Sequence, residues 1–380
     1  MIYFTYAEPY SGVLSGQAID VCRYLRAELK VKIRLIMFIS VRHYFAERSK
    51  IKKEFPSAWV IPMSPKLSSW KLNSWPLAFI CLITGERKII ARNVLAANIA
   101  FKVKKMGLLH TVCYDGRGAM TAEWTEYKLV PSEEVSRNIL QLEANAVIKS
   151  DFRIAVSSRL VTYWQNTFEY NTGNHVVIPC TLHSSFVLLP ANEKSVLDFR
   201  KKWNYNSDDC ILVYSGSLSG WQSFHILTDF LQTHLAASAK NKILFLSEKN
   251  DSIKQLTSQF PQQVKQTWLK HSDVQEALSA CDYGLMIREN AITNSVASPT
   301  KFAEYLSAGL KIITSDNLGD YTDFVQKHQC GIIVKTKNVY EIKPLTIDER
   351  NSNIKLAEKF FTKKSHEQSY KLLVQKLKGK

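Results

Sequence analysis

Thirteen short runs rich in β-branched and aromatic residues recur along this chain, and most are separated by longer amphipathic stretches. The first seven are "IYFTYA", "KIRLIMFIS", "AWVIPM", "KIIARN", "LLHTVCYD", "FRIAVS" and "HVVIP". The other six are "CILVYSGS", "KILFLSE", "VKQTWLK", "YGLMIRE", "KIITSD" and "CGIIVK". Segments such as "GQAIDVCRYLRAEL" and "SEEVSRNILQLEANAVIKS" lie between them and read as helices. Apolar strands alternating with helices of this length require parallel sheets covered on both faces. Two such series predict an α/β chain of two doubly wound, Rossmann-like domains facing across a cleft. The periodicity fails over residues 179–196, where Pro179 and Pro190 interrupt it. We therefore expect one domain over 1–185, a second over 186–360, and a basic C-terminal helix over 361–380.

The length of 380 residues suits two cores rather than one. The chain carries 50 Lys and Arg against 34 Asp and Glu, and residues 1–180 hold 24 basic and 14 acidic side chains. That balance favours polyanions, whether nucleic acid, an anionic membrane surface or phosphorylated small molecules. Nucleic acid fits poorly, because the charge is dispersed and no zinc-ligand spacing, RNP-like motif or basic arm is present. Seven scattered cysteines without a CxxC pair suggest reduced thiols in the cytoplasm. The opening "MIYFTYAEPYSG" lacks the basic-then-apolar order of a signal peptide, and "WPLAFICLITG" is about half of the ~20 residues a span requires. The basic segment "SVRHYFAERSKIKKEF" (40–55) suits either peripheral contact with the inner face of an anionic membrane or a solvated helix face.

Ligands of open parallel sheets bind beyond the carboxyl ends of the strands. Four loops there carry unusual residues. In "AEPYSGVLSGQ", Gly12 and Gly16 precede a helix expected near Gln17, and either a ligand loop or a tight turn fits. In "YDGRG", Asp115 and Arg117 could handle a hydroxyl nucleophile or grip a phosphate; a local ion pair is the structural alternative. In "YSGSLSGW", Gly216, Ser217 and the glycine at 220 precede a helix expected near Trp221 and form a natural diphosphate cradle. The loop lacks the lysine of a P-loop.

The fourth loop leads from Arg288 through Asn294 into "SPTKFAEYLSAGLKII". Ser298 suits a helix cap and Pro299 the first helical position. Lys301 then adds a cation to a helix end that is already positive, which is unfavourable unless an anion binds. Glu304 lies one turn on and could accept hydrogen bonds from sugar hydroxyls beside that anion. An exposed ion pair between the two, worth about 0.2–0.5 kcal/mol, is the plainer account.

The segment "SPTKFAEYLSAGLKIITSDNLGDY", with "YSGSLSGW" upstream, resembles the C-terminal half of family-4-type glycosyltransferases of the GT-B fold, closest to bacterial enzymes of surface-polysaccharide assembly. "YSGVLSGQAIDVCRYL" and "CYDGRG" resemble their N-terminal half. The resemblance spans about residues 1–340. It implies retaining, metal-independent hexosyl transfer from a nucleotide-sugar donor to a glycan or lipid-linked glycan, without a cofactor. By position it puts Glu304 on the ribose, Gly216 and Ser217 in the donor-phosphate loop, and Ser298 and Lys301 beside the diphosphate; the strand-end loop adds Arg288 and Asn294 as expected donor contacts. With the acceptor placed on the N-terminal half, the loop residues there give Gly12, Gly16 and Gln17 as expected acceptor contacts and Asp115 and Arg117 as expected catalytic residues. The chain departs from the family at Val296, where the first glutamate of a pair belongs, and at Trp221 and Gln222, where an arginine and a lysine are usual. Arg288 and Lys301 are expected to supply the missing cations. A catalytically degenerate GT-B partner subunit and a nucleotide-sugar epimerase are the competing readings.

Overall fold

The computed structural model describes residues 1–129, 132–335 and 340–378. All thirteen strand-like runs form strands. β1 (Ile2–Tyr6), β2 (Arg34–Ile39), β3 (Trp59–Pro62), β4 (Lys88–Arg92), β5 (Thr111–Gly116), β6 (Phe152–Ala155) and β7 (His175–Val177) make one sheet in the order β3-β2-β1-β4-β5-β6-β7. β8 (Cys210–Ser215), β9 (Asn241–Leu246), β10 (Val264–Thr267), β11 (Tyr283–Met286), β12 (Lys311–Ser315) and β13 (Gly331–Val334) make the other, in the order β10-β9-β8-β11-β12-β13. Every pairing is parallel. These are the two doubly wound sheets that the apolar runs predict.

Contacts divide the chain into two units. The first comprises residues 1–183 and 296–298 and the terminal segment from 366; the second comprises 184–295 and 299–365, apart from the undescribed residues. In the first sheet, alternate residues serve opposite cores, as the two-residue strand period dictates. Ile2, Phe4 and Tyr6 face the helices Ser74–Thr84, Val94–Lys105 and Ile139–Lys149, whereas Tyr3 faces the helix Asp20–Ala27. The terminal helix Glu367–Lys378 packs on the same side as Tyr3, burying Tyr370, Leu373 and Leu377. The expected helix over 361–380 is thus shorter: an earlier helix ends at Phe361, and Gly379 and Lys380 lie outside the described residues.

Three local expectations are corrected. Gly12 and Gly16 are helical rather than loop residues. Ser11 caps the turn Gly12–Leu14 by accepting from Leu14 N at 3.2 Å, and a π-helical turn, Ser15–Ile19, continues it. Asn138 divides the segment after residue 132 into helices Glu133–Arg137 and Ile139–Lys149. His110, within the strand-like run "LLHTVCYD", is exposed just ahead of β5.

In the second unit, the helix Thr300–Ser307 buries Phe302, Tyr305 and Leu306. Tyr305 packs closely on β11 because position 284 is glycine: a Cβ there would come within 2.1 Å of the ring. The Tyr305 hydroxyl accepts from Ser215 N at 2.9 Å and so ties this helix to the end of β8. At the opposite strand ends, buried Asp282 accepts from Arg200 at 2.8 Å and from Arg350 at 2.7 Å, and also from the backbone of Ile211. A buried carboxylate with that many charge-assisted bonds is held as a brace.

Candidate functional site

The carboxyl ends of β8 and β11 bring two cations together. β8 stops at Ser215, and Gly216 follows with a φ of +130°. A Cβ there would meet Lys301 Cε at 2.6 Å, so glycine leaves the room that the lysine fills. Lys301 Nζ lies 4.3 Å over the Tyr214 ring and donates to Gln222 Oε1 at 3.1 Å. Arg288, just past β11, donates to the same oxygen from Nη2 at 3.2 Å. An arginine and a lysine thus meet on one neutral amide oxygen.

This arrangement is electrostatically unfavourable as it stands. Desolvation and then the Arg288 charge hold the Lys301 amine well below its ordinary pKa, and nearby Glu304 offsets this only in part. A dianionic group beside Arg288 and Lys301 would relieve both effects. The surrounding bonds fix the pair. Arg288 N donates to Ser315 Oγ at 3.1 Å, Arg288 Nη1 to Asn294 Oδ1 at 3.4 Å, and Asn294 Nδ2 to Glu289 O at 3.1 Å. Glu289 N donates to Ser223 Oγ at 2.9 Å, joining the β11 loop to the β8 loop.

The predicted donor residues therefore fall into three groups. Gly216, Arg288 and Lys301 converge, with half-buried Glu304 one helical turn away. Ser217 is exposed on the adjoining loop, 3.0 Å from Ser219 between hydroxyl oxygens. Asn294 is fully buried and accepts from Arg288 Nη1, which it helps to position. Ser298 does not cap the helix, whose capping position is Pro299; its Oγ accepts from Cys180 N at 2.7 Å and it is counted with the first unit. The sequence reading missed Gln222 and Tyr214. In the sequence Gln222 stands out only as a departure from the resembled family, not as a ligand-site residue; it sits in a 3-10 turn, Gly220–Gln222, where the helix was expected, and the α-helix starts at Phe224. A cavity of about 1070 Å³ in this unit reaches Arg288, Glu289, Ser315 and Asp316 and continues beneath the helix Phe224–Ala237. Gly216, Lys301 and Glu304 are not in its lining, so charge rather than volume marks the anion position.

The first unit gathers the other predicted residues at the carboxyl ends of β1, β4 and β5. Asp115 is 1% exposed and accepts from Tyr3 OH at 2.5 Å, with Arg117 Nε at 3.4 Å and Arg92 Nη1 at 3.8 Å. Arg92 also donates to Glu8 at 2.7 Å. Held in this way, Asp115 braces the strand ends through Oδ2, while its Oδ1 accepts no hydrogen bond among the described residues. Arg117, half-buried, donates to Gln17 O at 3.2 Å. The Gln17 amide is taken up by Thr181, donating to its carbonyl at 2.7 Å and accepting from its nitrogen at 3.3 Å. Neither glycine carries the predicted loop. Gly16 would tolerate a Cβ 3.7 Å from His183, and Gly12 is exposed in the first helical turn. Beside them lies a group with no signal in the sequence: Glu54 accepts from Ser15 Oγ and, at 3.0 Å, from Tyr10 OH, while His183 Nε2 stands 3.1 Å from Ser15 Oγ. Burial favours the protonated Glu54 carboxyl, but the bonds from His183, Ser15 and Tyr10 outweigh it and lower its pKa.

Two doubly wound parallel-sheet units with a cationic site at the strand ends of the second define a GT-B-type architecture. No family model and no curated protein matches this sequence. Solved structures do match over almost the full length. Sucrose-phosphate synthase from Thermosynechococcus elongatus is similar with a TM-score of 0.69 at 13% identity, covering 98% of this chain and 99% of that one. HepE of Anabaena, solved in complex with UDP and glucose, gives 0.65 at 14% identity, with the same coverages. A putative UDP-N-acetylglucosamine 2-epimerase from Listeria monocytogenes gives 0.54 at 9% identity, covering 97% of this chain and 90% of that one. At such identities the likeness is one of fold.

Proposed function

We propose that this chain is a glycosyltransferase that moves a hexosyl group from a nucleoside-diphosphate sugar to a glycan or lipid-linked glycan acceptor in surface-polysaccharide assembly. The observation that carries the reading is the convergence of Arg288 and Lys301 on Gln222 Oε1 at the strand ends of the second unit. In such a transfer the bond between the anomeric carbon and the diphosphate oxygen breaks, and negative charge grows on the leaving diphosphate. Arg288 and Lys301, held at the strand ends, stabilise that charge as it develops. In this reading no metal ion and no cofactor are required, and Lys301 and Arg288 do the work a divalent ion would do. Glu304 accepts from the ribose hydroxyls, and the exposed hydroxyl of Ser217 donates to a phosphate oxygen. The cavity beside Arg288 and Ser315 offers room for the rest of the donor. The acceptor is assigned to the first unit, and the sugar is transferred with retention of anomeric configuration. Seven buried cysteines, none in a disulfide, suit a reducing cytoplasm.

The degenerate-subunit reading is favoured by one observation. Val296, where the resemblance calls for a glutamate, is 2% exposed within the core of the first unit. The fold likeness to an epimerase supports the other alternative. A thermal-shift screen of UDP, GDP, ADP, CMP and dTDP on the wild type and on Glu304→Ala tests donor binding. Ligand at 100 times its Kd should stabilise the wild type by about 2.7 kcal/mol, a shift of a few degrees. One nucleotide acting strongly on the wild type and weakly on the variant is the expected result. No shift with any nucleotide would turn the assignment to a degenerate subunit. Inversion of a sugar carbon within the donor, with no acceptor product, would turn it to an epimerase.

A further inference from the structure

The helix Ser74–Thr84 is apolar on both of its faces. Leu77, Ala78, Ile80 and Cys81 belong to the core of the first unit. Trp75, Phe79, Leu82 and Ile83 recur at helical spacing on the outside, and Leu72 from the preceding turn joins them; each is more than half exposed. A helix that is apolar all round is normally covered all round, and a contiguous exposed apolar patch marks a contact surface. No residue of the helix is charged.

What surrounds this face identifies what covers it. Residues 55–114 contain eight Lys and Arg and a single carboxylate, Glu86, which is already paired with the amine of Met1. Lys66 and Lys71 are exposed ahead of the helix. Beyond its far end, exposed Arg87 donates to the carbonyls of Gly107 and Leu108, next to exposed Lys105 and Met106. The apolar stripe therefore has cations at both ends, and the helix Glu133–Arg137, which packs against the turn Leu67–Asn73, adds two carboxylates, Glu134 and Glu133, the latter paired with Arg137. A second copy of the same face would set these cations against one another, as a two-fold contact repeats the same patch on both sides. An anionic bilayer satisfies both features: aromatic and aliphatic side chains enter the boundary between headgroups and acyl chains, and the lysines and arginine meet lipid phosphates. The segment 40–55, where the sequence suggested membrane contact, offers less. Within its helix Tyr44–Glu54, Phe45 is the one exposed large apolar side chain.

We propose that the outer face of the helix Ser74–Thr84, flanked by Lys66, Lys71, Arg87 and Lys105, docks this protein on an anionic lipid surface. The docking does not depend on the chemistry at Lys301, so either conclusion can fail without the other.

Flotation of the full chain with vesicles tests it, comparing pure phosphatidylcholine with a mixture one-third phosphatidylglycerol. Wild type should float with the mixed vesicles, much less with the neutral ones, and lose binding as salt rises. The double variant Trp75→Ser/Phe79→Ser should lower the vesicle-bound fraction by roughly tenfold, the loss expected when two aromatic anchors no longer enter the interface. Its melting temperature should not fall, because both side chains are exposed. Lys66→Glu/Lys71→Glu should also weaken binding, whereas Arg48→Glu/Lys50→Glu should bind like wild type. The proposal is overturned if wild type ignores anionic vesicles, or if Trp75→Ser/Phe79→Ser floats as well as wild type. A wild-type dimer that this double variant converts to a monomer, without vesicle binding in either form, would assign the face to a second copy instead.

Discussion

Arg288 and Lys301 donate to one and the same atom, Gln222 Oε1, at 3.2 and 3.1 Å, although 66 and 79 residues separate them from that glutamine. The shared acceptor is a neutral amide oxygen. The consequences for ligand affinity, pH dependence and stability can be separated by single substitutions.

Replacing Lys301 by Met should weaken nucleoside diphosphate binding while sparing the fold. Charge-assisted bonds to phosphate contribute about 1.5–3 kcal/mol, so Kd measured by calorimetry should rise roughly tenfold to a hundredfold. The melting temperature of the unliganded protein should hold or increase, because a desolvated cation beside Arg288 is removed. A marked loss of stability with unchanged Kd would show that Lys301 is only a structural residue.

The depressed pKa of Lys301 also fixes the sign of two pH effects. Between its lowered folded value and about 10.4 for the unfolded chain, the unfolded state binds more protons, so this residue makes stability rise with pH. A bound diphosphate favours the ammonium and raises the pKa again. Binding should therefore take up protons, and affinity should fall as pH increases. Calorimetry in buffers of different ionisation enthalpy measures that uptake, and Lys301→Met should abolish it.

At Gly216 the strain is in the backbone rather than in the neighbouring side chain. Lys301 Cε can swing away from an added Cβ, but an L-residue at a φ of +130° cannot relax without moving the loop. Gly216→Ala should cost about 1 kcal/mol or more and displace Lys301, lowering both the unfolding midpoint in denaturant and nucleotide affinity. An alanine variant with wild-type midpoint and Kd would contradict the close approach of the two residues.

Asp115→Asn should behave in the opposite way. It leaves Arg92 and Arg117 without the carboxylate between them and should destabilise the first unit by roughly 3–5 kcal/mol, the usual result of breaking a buried ion pair. Nucleotide affinity, measured on the folded fraction at low temperature, should stay at the wild-type value. A stable variant that has lost only turnover would give Asp115 a catalytic role.

The strands and the doubly wound arrangement were legible in the chain because they are local and apolar. A parallel strand buried on both faces must be a short run of residues such as "RLIMFI" or "CILVYS", and thirteen such runs leave little choice of architecture. Arg288, Lys301 and Gly216 were legible as well, since a residue just past a strand end or at a helix start has few structural reasons to be charged or to be glycine. The tertiary structure alone decided which of these residues meet. Gln222 became the shared acceptor, Tyr214 the face beneath Lys301, and Gly284 the space that lets Tyr305 tie a helix to β8. It also gave Asp115, Asn294 and Ser298 hydrogen-bond partners inside the protein that no motif announces. The physical reason is one of range. Periodicity and capping are set by neighbours a few residues apart, whereas burial, pKa and hydrogen-bond partners are set by segments that come together only when the sheets form.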